Sequence, residues 1–214
     1  MKKYFLIAMV FIAFTACTKQ TVIDTGVAKG NFSGNMMEYL RSDTYNWELT
    51  VKLIERAGLT DLFEGKVDSL KEITFLGFKT YTVLRFLYDS QFKDSSQGKY
   101  YTVDDIPVDR ARGLVLRYVI GGKHLKETIA YKDKQYLIND PKQTGGTRFT
   151  TVQGNQVMLY LETSPYGGVP DAGPVSLKVY SITKTLAIPM ATPDLQSTNG
   201  VVHAFSDGIE LGII

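Results

Sequence analysis

The side chains in this sequence best suited to chemistry are few: two histidines, one cysteine and a scatter of carboxylates. His203 has an acid, Asp207, four positions on in the same segment, NGVVHAFSDGI, and the two invite reading as an imidazole–carboxylate pair. In an extended strand that separation places the α-carbons roughly 13 Å apart on one face, too far for a direct hydrogen bond. Val201 and Phe205 share the face of His203, so it reads as a buried ring whose nitrogens bond to backbone. Asp104 and Asp105 have the look of a catalytic or calcium-binding pair. They stand just before Pro107, where a helix can begin, and acids there first complement the helix dipole. Gly145-Gly146 lacks the spacing and the strand-to-helix setting of a phosphate loop, and reads as a plain loop. GxSxG and HExxH patterns are missing, and His124, His203 and Cys17 are too few for a zinc site. The expectation is a chain without enzymatic chemistry, without metal and without cofactor.

Cys17 carries a different chemistry. Met1 to Cys17 runs from a basic start through apolar residues (Tyr4 to Ala16) to the cysteine, a stretch too short to span a bilayer comfortably. Phe14-Thr15-Ala16-Cys17 is similar to a bacterial lipobox, in which cleavage before the cysteine exposes it for diacylglyceryl attachment; the other reading is an ordinary secretory signal with an incidental cysteine. The expected organisation is a signal peptide over residues 1–16, a lipidated N-terminus and flexible tether over 17–34, and one domain over 35–214. Two or three acyl chains anchor a protein stably, so the mature chain is expected to be tethered and not spanning. Thr18 in place of an acid after the cysteine favours the outer membrane, with the facing side open. Without Lys2 and Lys3, the 24 basic residues fall to the number of acidic ones, 22, which argues against a nucleic-acid partner. At 214 residues and 44% hydrophobic content, the chain can bury one sizeable core.

The elements that would position these residues can be read from periodicity. Asn35 to Arg41 is a short helix with Ser33 or Asn35 as cap, and Trp47, Thr50, Leu53, Ile54 and Ala57 mark a longer one that Gly58 can end. A further turn of helix covers Leu59 to Phe63. Ile73 to Phe78 is a strand that passes into a helix over Thr80 to Asp89, with Thr80 as its cap. On that helix Tyr81, Leu84 and Tyr88 form a stripe, read as core in preference to a ligand-facing row. A further helix runs from Pro107 through Ala111, Leu114, Val115 and Tyr118 into an apolar strand start at Val119-Ile120. From Ile129 onward the chain is β-rich. Thr147–Val152 and Gln156–Glu162 form a hairpin across Gln153-Gly154-Asn155, Ser164–Pro174 is a loop, and Val175, Leu177 and Val179 alternate in another strand. Last, Asn199-Gly200 makes a tight turn into the apolar run Val201 to Phe205, closed by Ser206-Asp207-Gly208.

That last segment, NGVVHAFSDGI, closely resembles the second signature of the fasciclin domain family, whose pattern is Asn-Gly-Val-Ile-His followed by apolar residues and Asp-Gly. The strand-to-helix passage near Ile73 resembles the first signature, although Phe78-Lys79-Thr80 stands where the family has Pro-Thr-Asn or Pro-Thr-Asp. The resemblance extends over approximately Trp47 to Gly208. It implies an α+β fold, with a β-sheet core of two packed sheets and several short helices on one side, and makes Asn199, Gly200, His203, Asp207 and Gly208 structural signature residues. It also points to two candidate partner-binding regions. Arg117 and Tyr118 occupy the family's Tyr-His pair, and Pro193 and Asp194 match its Pro-Asp-Ile with Leu195 a conservative third, where the bottom-up reading has Asp194 stabilising a local turn. The function implied is a lipid-anchored, non-enzymatic adhesion or recognition module for an envelope protein, matrix component or polysaccharide. The alternatives are an envelope hydrolase and a structural subunit of an outer-membrane complex.

Overall fold

The computed structural model describes residues 30–92 and 98–214; the leader, Cys17 and the tether up to residue 29 lie outside the described residues. Asn35 Oδ1 accepts from the Glu38 N–H, and Glu38 Oε2 accepts from the Asn35 N–H. This reciprocal cap starts helix α1 (Met36–Ser42). Asp43 then caps α2 (Thr44–Arg56), which buries Trp47, Thr50, Leu53 and Ile54 at the spacing the sequence displays. Gly58 ends the helix region with φ +66, and α3 (Thr60–Phe63) follows. Strand β1 (Ile73–Gly77) is buried at every residue and leads into α4 (Thr80–Phe92). Thr80 does not cap its own helix as expected. Its hydroxyl accepts from the Leu49 N–H, tying α4 to α2. Helix α5 (Val108–Leu116) then ends before Tyr118, and β2 (Val119–Gly121) pairs antiparallel with β1.

The strands β3 (Thr147–Thr150), β4 (Gln156–Thr163), β5 (Val175–Ser181), β6 (Leu186–Ser197) and β7 (Gly200–Phe205) complete one mixed sheet of order β2-β1-β7-β6-β5-β4-β3. Among the described strands only β1 and β7 pair in parallel, with Leu76 opposite His203. The fold is α+β as expected, but the expected pair of packed sheets is a single sheet. The reason lies in β6, whose first residues pair with β5 (Leu186–Pro189) and whose remainder pairs with β7 (Met190–Ser197). Its two prolines, Pro189 and Pro193, have no N–H to give a ladder. Register shifts between Met190 and Thr192, and between Thr192 and Leu195, each leave an extra residue on β6. Thus one strand carries the sheet from its β1/β2/β7 part to its β3/β4/β5 part. Residues 192–197, expected to lead into the last strand as a turn, are themselves strand.

Rings of Phe63, Phe75, Phe78, Tyr118 and Phe205 meet edge-to-face in one column, with successive centroids 5.1, 5.4, 4.9 and 6.1 Å apart. Such contacts add about 0.5–1.5 kcal/mol each beyond burial. They join α3, β1 and β7 into the main core. The end of the stretch read as tether belongs to the fold, since the Gln196 N–H donates to the Gly30 carbonyl and the Phe32 N–H to the Gln196 carbonyl.

Candidate functional site

His203 occupies the middle of β7 with no exposed side-chain surface. Its Nε2 lies 2.8 Å from the His124 carbonyl, which can only accept, so this nitrogen carries the proton. Its Nδ1 accepts from the Asp194 N–H at 3.1 Å. Both ring nitrogens therefore bond to backbone, as the sequence reading has it. Burial pushes the imidazole below its ordinary pKa; the bond to the His124 carbonyl and the charge of Asp194, 3.8 Å from Nδ1, oppose that and do not overcome it. The ring is held neutral and enclosed, unsuited to act as a base on a bound substrate.

The surroundings form a junction. Asp194 adopts φ +60 at the second bulge of β6, and its Oδ1 accepts from the Lys126 N–H at 2.8 Å. The expected local turn bond of Asp194 is thus replaced by one that reaches 68 residues back. The His124 N–H donates to Thr74 Oγ1, whose hydroxyl donates to the Gly122 carbonyl. Asp194 and His203 accordingly fasten the segment after β2 to the bulged strand. Neither Thr74, His124 nor Lys126 was legible in this role, because no short spacing connects them to His203.

The other signature residues are structural in distinct ways. Asn199 Oδ1 accepts from the Met36 N–H at 2.7 Å, satisfying the start of α1, and its Nδ2 donates to the Phe63 carbonyl at 3.0 Å. At Gly200 a Cβ would stand 2.0 Å from the Ile73 carbonyl oxygen and 2.8 Å from Met36 Cε, so the parallel approach of β1 admits only glycine. Asp207 lies exposed beyond β7 and pairs with Lys79 at 3.5 Å, and Gly208 follows with φ +100. The near pair His203/Asp207 of the sequence is therefore divided between core and surface.

Of the candidate partner-binding residues, Tyr118 is fully enclosed in the core and Leu195 keeps 7% of its surface exposed. The Tyr118 hydroxyl accepts from the Gly212 N–H at 2.8 Å, and burial pushes its pKa up to about 12. Pro193, Asp194 and Arg117 are half-buried. Asp105 is a cap, not a ligand pair with Asp104. Its carboxylate accepts from the Thr102 and Tyr101 N–H groups, which hold it below the usual range. Gly145 sits in a packed loop where its N–H donates to Gln143 Oε1. Among the described residues no group of three or more His, Cys, Asp or Glu side chains could hold a metal ion.

The stripe read as core on α4 faces outward. Tyr81 is 54% exposed, Leu84 52%, Tyr88 61% and Phe92 70%, while Val83, Leu87 and Ser90 turn to the core. The helix carries two apolar rows about 100° apart, and the sequence alone does not say which one the sheet claims. At the start of the outward row, Tyr45, Asn46, Tyr81, Leu84 and the Lys79–Asp207 pair line a groove of about 340 Å³.

No family model matches the chain, and neither does any curated protein. Among solved structures it is similar to a FAS1 domain pair from the insect cell adhesion molecule Fasciclin I, at 12% sequence identity and a TM-score of 0.41. The match covers 83% of this chain and 46% of that one, so the chain spans about half the length of the structure it matches.

Proposed function

We propose that this protein is a lipid-anchored, extracytoplasmic recognition module of the fasciclin kind, held at an outer membrane through Cys17. It binds an envelope protein, a matrix component or a polysaccharide without turning it over. The observation that carries the reading is the outward row of α4, where Tyr81, Leu84, Tyr88 and Phe92 stand in solvent beside a groove edged by one ion pair. Contiguous exposed aromatic surface with a polar edge is the composition of a binding face. The resemblance of residues 199–209 to a fasciclin signature agrees with that role. A hydrolase built on His203 is disfavoured because both ring nitrogens are engaged inside the core.

The test compares the mature domain with its Tyr81→Ser/Tyr88→Ser variant, both offered to purified glycans and envelope fractions. Binding by the parent that the variant loses, at equal stability, supports the reading. Equal retention by both, or substrate turnover, refutes it. Cys17→Ser should release the protein from membranes; membrane retention of that variant would remove the anchor from the proposal.

A further inference from the structure

The groove at the start of α4 joins two kinds of surface. Tyr45 on α2 and Tyr81 on α4, both exposed, bring it aromatic rings, while Asn46, Lys79 and Asp207 bring polar groups. The Thr80 hydroxyl bonded to the Leu49 N–H fixes these two helices against each other, so the walls are set before any ligand arrives. Asn46 Nδ2 donates to Asp43 Oδ2, which orients the amide and leaves Oδ1 as an acceptor. Lys79 and Asp207, 3.5 Å apart, are the charged residues of the lining and cancel, so the groove draws neither anions nor cations. A sugar ring has the same division, with C–H groups on its faces and a rim of adjacent hydroxyls that each donate and accept. A carboxylate beside an ammonium offers such hydroxyls an acceptor and a donor. A protein face laid over that pair would have to desolvate it, whereas hydroxyls replace the water they displace. The helix extends the match, because Tyr88 follows Tyr81 by seven residues, nearly two turns and a rise of about 10.5 Å on one face, close to two units of an extended glycan. Tyr88 is backed by Phe92, with ring centroids 4.6 Å apart, and the two make a second aromatic platform.

We propose that this surface binds a neutral, extended polysaccharide. One sugar sits in the groove between Tyr45 and Tyr81 with its hydroxyls on Asp207 and Lys79, and the chain continues over Leu84 to Tyr88 and Phe92. The inference rests on the recognition reading of the α4 row and selects one ligand class from those that reading admits. The test follows backbone amide NMR shifts of the mature protein during titration with neutral, β-1,4-linked oligosaccharides of glucose, mannose and N-acetylglucosamine, each of two and of six units.

Saturable shifts along α4 with at least one hexasaccharide are expected, at an affinity at least about fivefold tighter than for the matching disaccharide. Tyr81→Ser and Asp207→Asn, both at exposed residues, should each weaken binding at least about fivefold at unchanged stability, and Tyr88→Ser should remove the gain from chain length while leaving disaccharide affinity unchanged. Absence of a saturable shift with every hexasaccharide overturns the proposal, as does equal affinity for two and six units or full affinity in Asp207→Asn. Sedimentation that shows a dimer lost in Tyr81→Ser gives the row to a second copy of the chain and also overturns it. If no hexasaccharide binds while an envelope protein is still retained by the parent and released by Tyr81→Ser/Tyr88→Ser, the polysaccharide falls and the recognition reading stands, so the two fail separately.

Discussion

Replacing His203 by alanine tests the role of the ring most directly. The change orphans the Asp194 N–H and the His124 carbonyl, both bonded to the ring, and unmet buried groups cost about 1–3 kcal/mol each. The emptied volume in a fully buried position adds a cavity term. Together these predict a loss on the order of 3–5 kcal/mol, a large share of the roughly 5–15 kcal/mol of a typical domain. In a chain of this size that lowers the melting temperature by about 6–20 °C. His203→Gln, which keeps one donor and one acceptor, should recover part of it.

Acid adds an independent signature. The folded imidazole titrates below its unfolded value near 6.5, so the unfolded chain takes up the proton first. Stability from this group is intact above about pH 6.5 and is lost as pH falls through the folded pKa, a slope that His203→Gln removes. Urea denaturation at about pH 7.5, 6 and 5 measures both effects. A His203→Ala loss below about 1 kcal/mol, or identical pH slopes in parent and His203→Gln, would refute the buried-junction argument.

Gly200→Ala should lower stability by at least about 2 kcal/mol, because its Cβ meets the Ile73 carbonyl oxygen at 2.0 Å; a shift in the urea midpoint reads it. Asn199→Ala is expected to cost about 2–5 kcal/mol through the Met36 N–H and Phe63 carbonyl it leaves unmet, measured in the same way. Tyr81→Ser/Tyr88→Ser should stay within about 1 kcal/mol of the parent, since both rings stand in solvent; a large loss would return them to the core.

Local features were legible in the residues. The Asn35 cap, the Trp47–Ile54 face, the Gly58 stop, the hairpin across Gly154 and the buried run Val201–Phe205 each rest on backbone preference or on periodicity within a few residues. So did the prediction that the His203 nitrogens bond to backbone, since apolar flanks leave a buried ring little else to bond. The strand Leu186–Ser197 was hidden because its prolines break the usual pattern and its two parts pair with different neighbours.

Short-range order thus followed from the order of residues along the chain, whereas choices among faces and distant partners waited for the packed molecule. Periodicity marks an apolar row on a helix but not the side the sheet will cover, and so Tyr81, Leu84 and Tyr88 emerged in solvent. Asp194 meets Lys126 across 68 residues and His203 meets His124 across 79, separations at which spacing holds no directional information. Those contacts exist because strands β1, β6 and β7 bring the segments together, and only then do the chemical groups find one another.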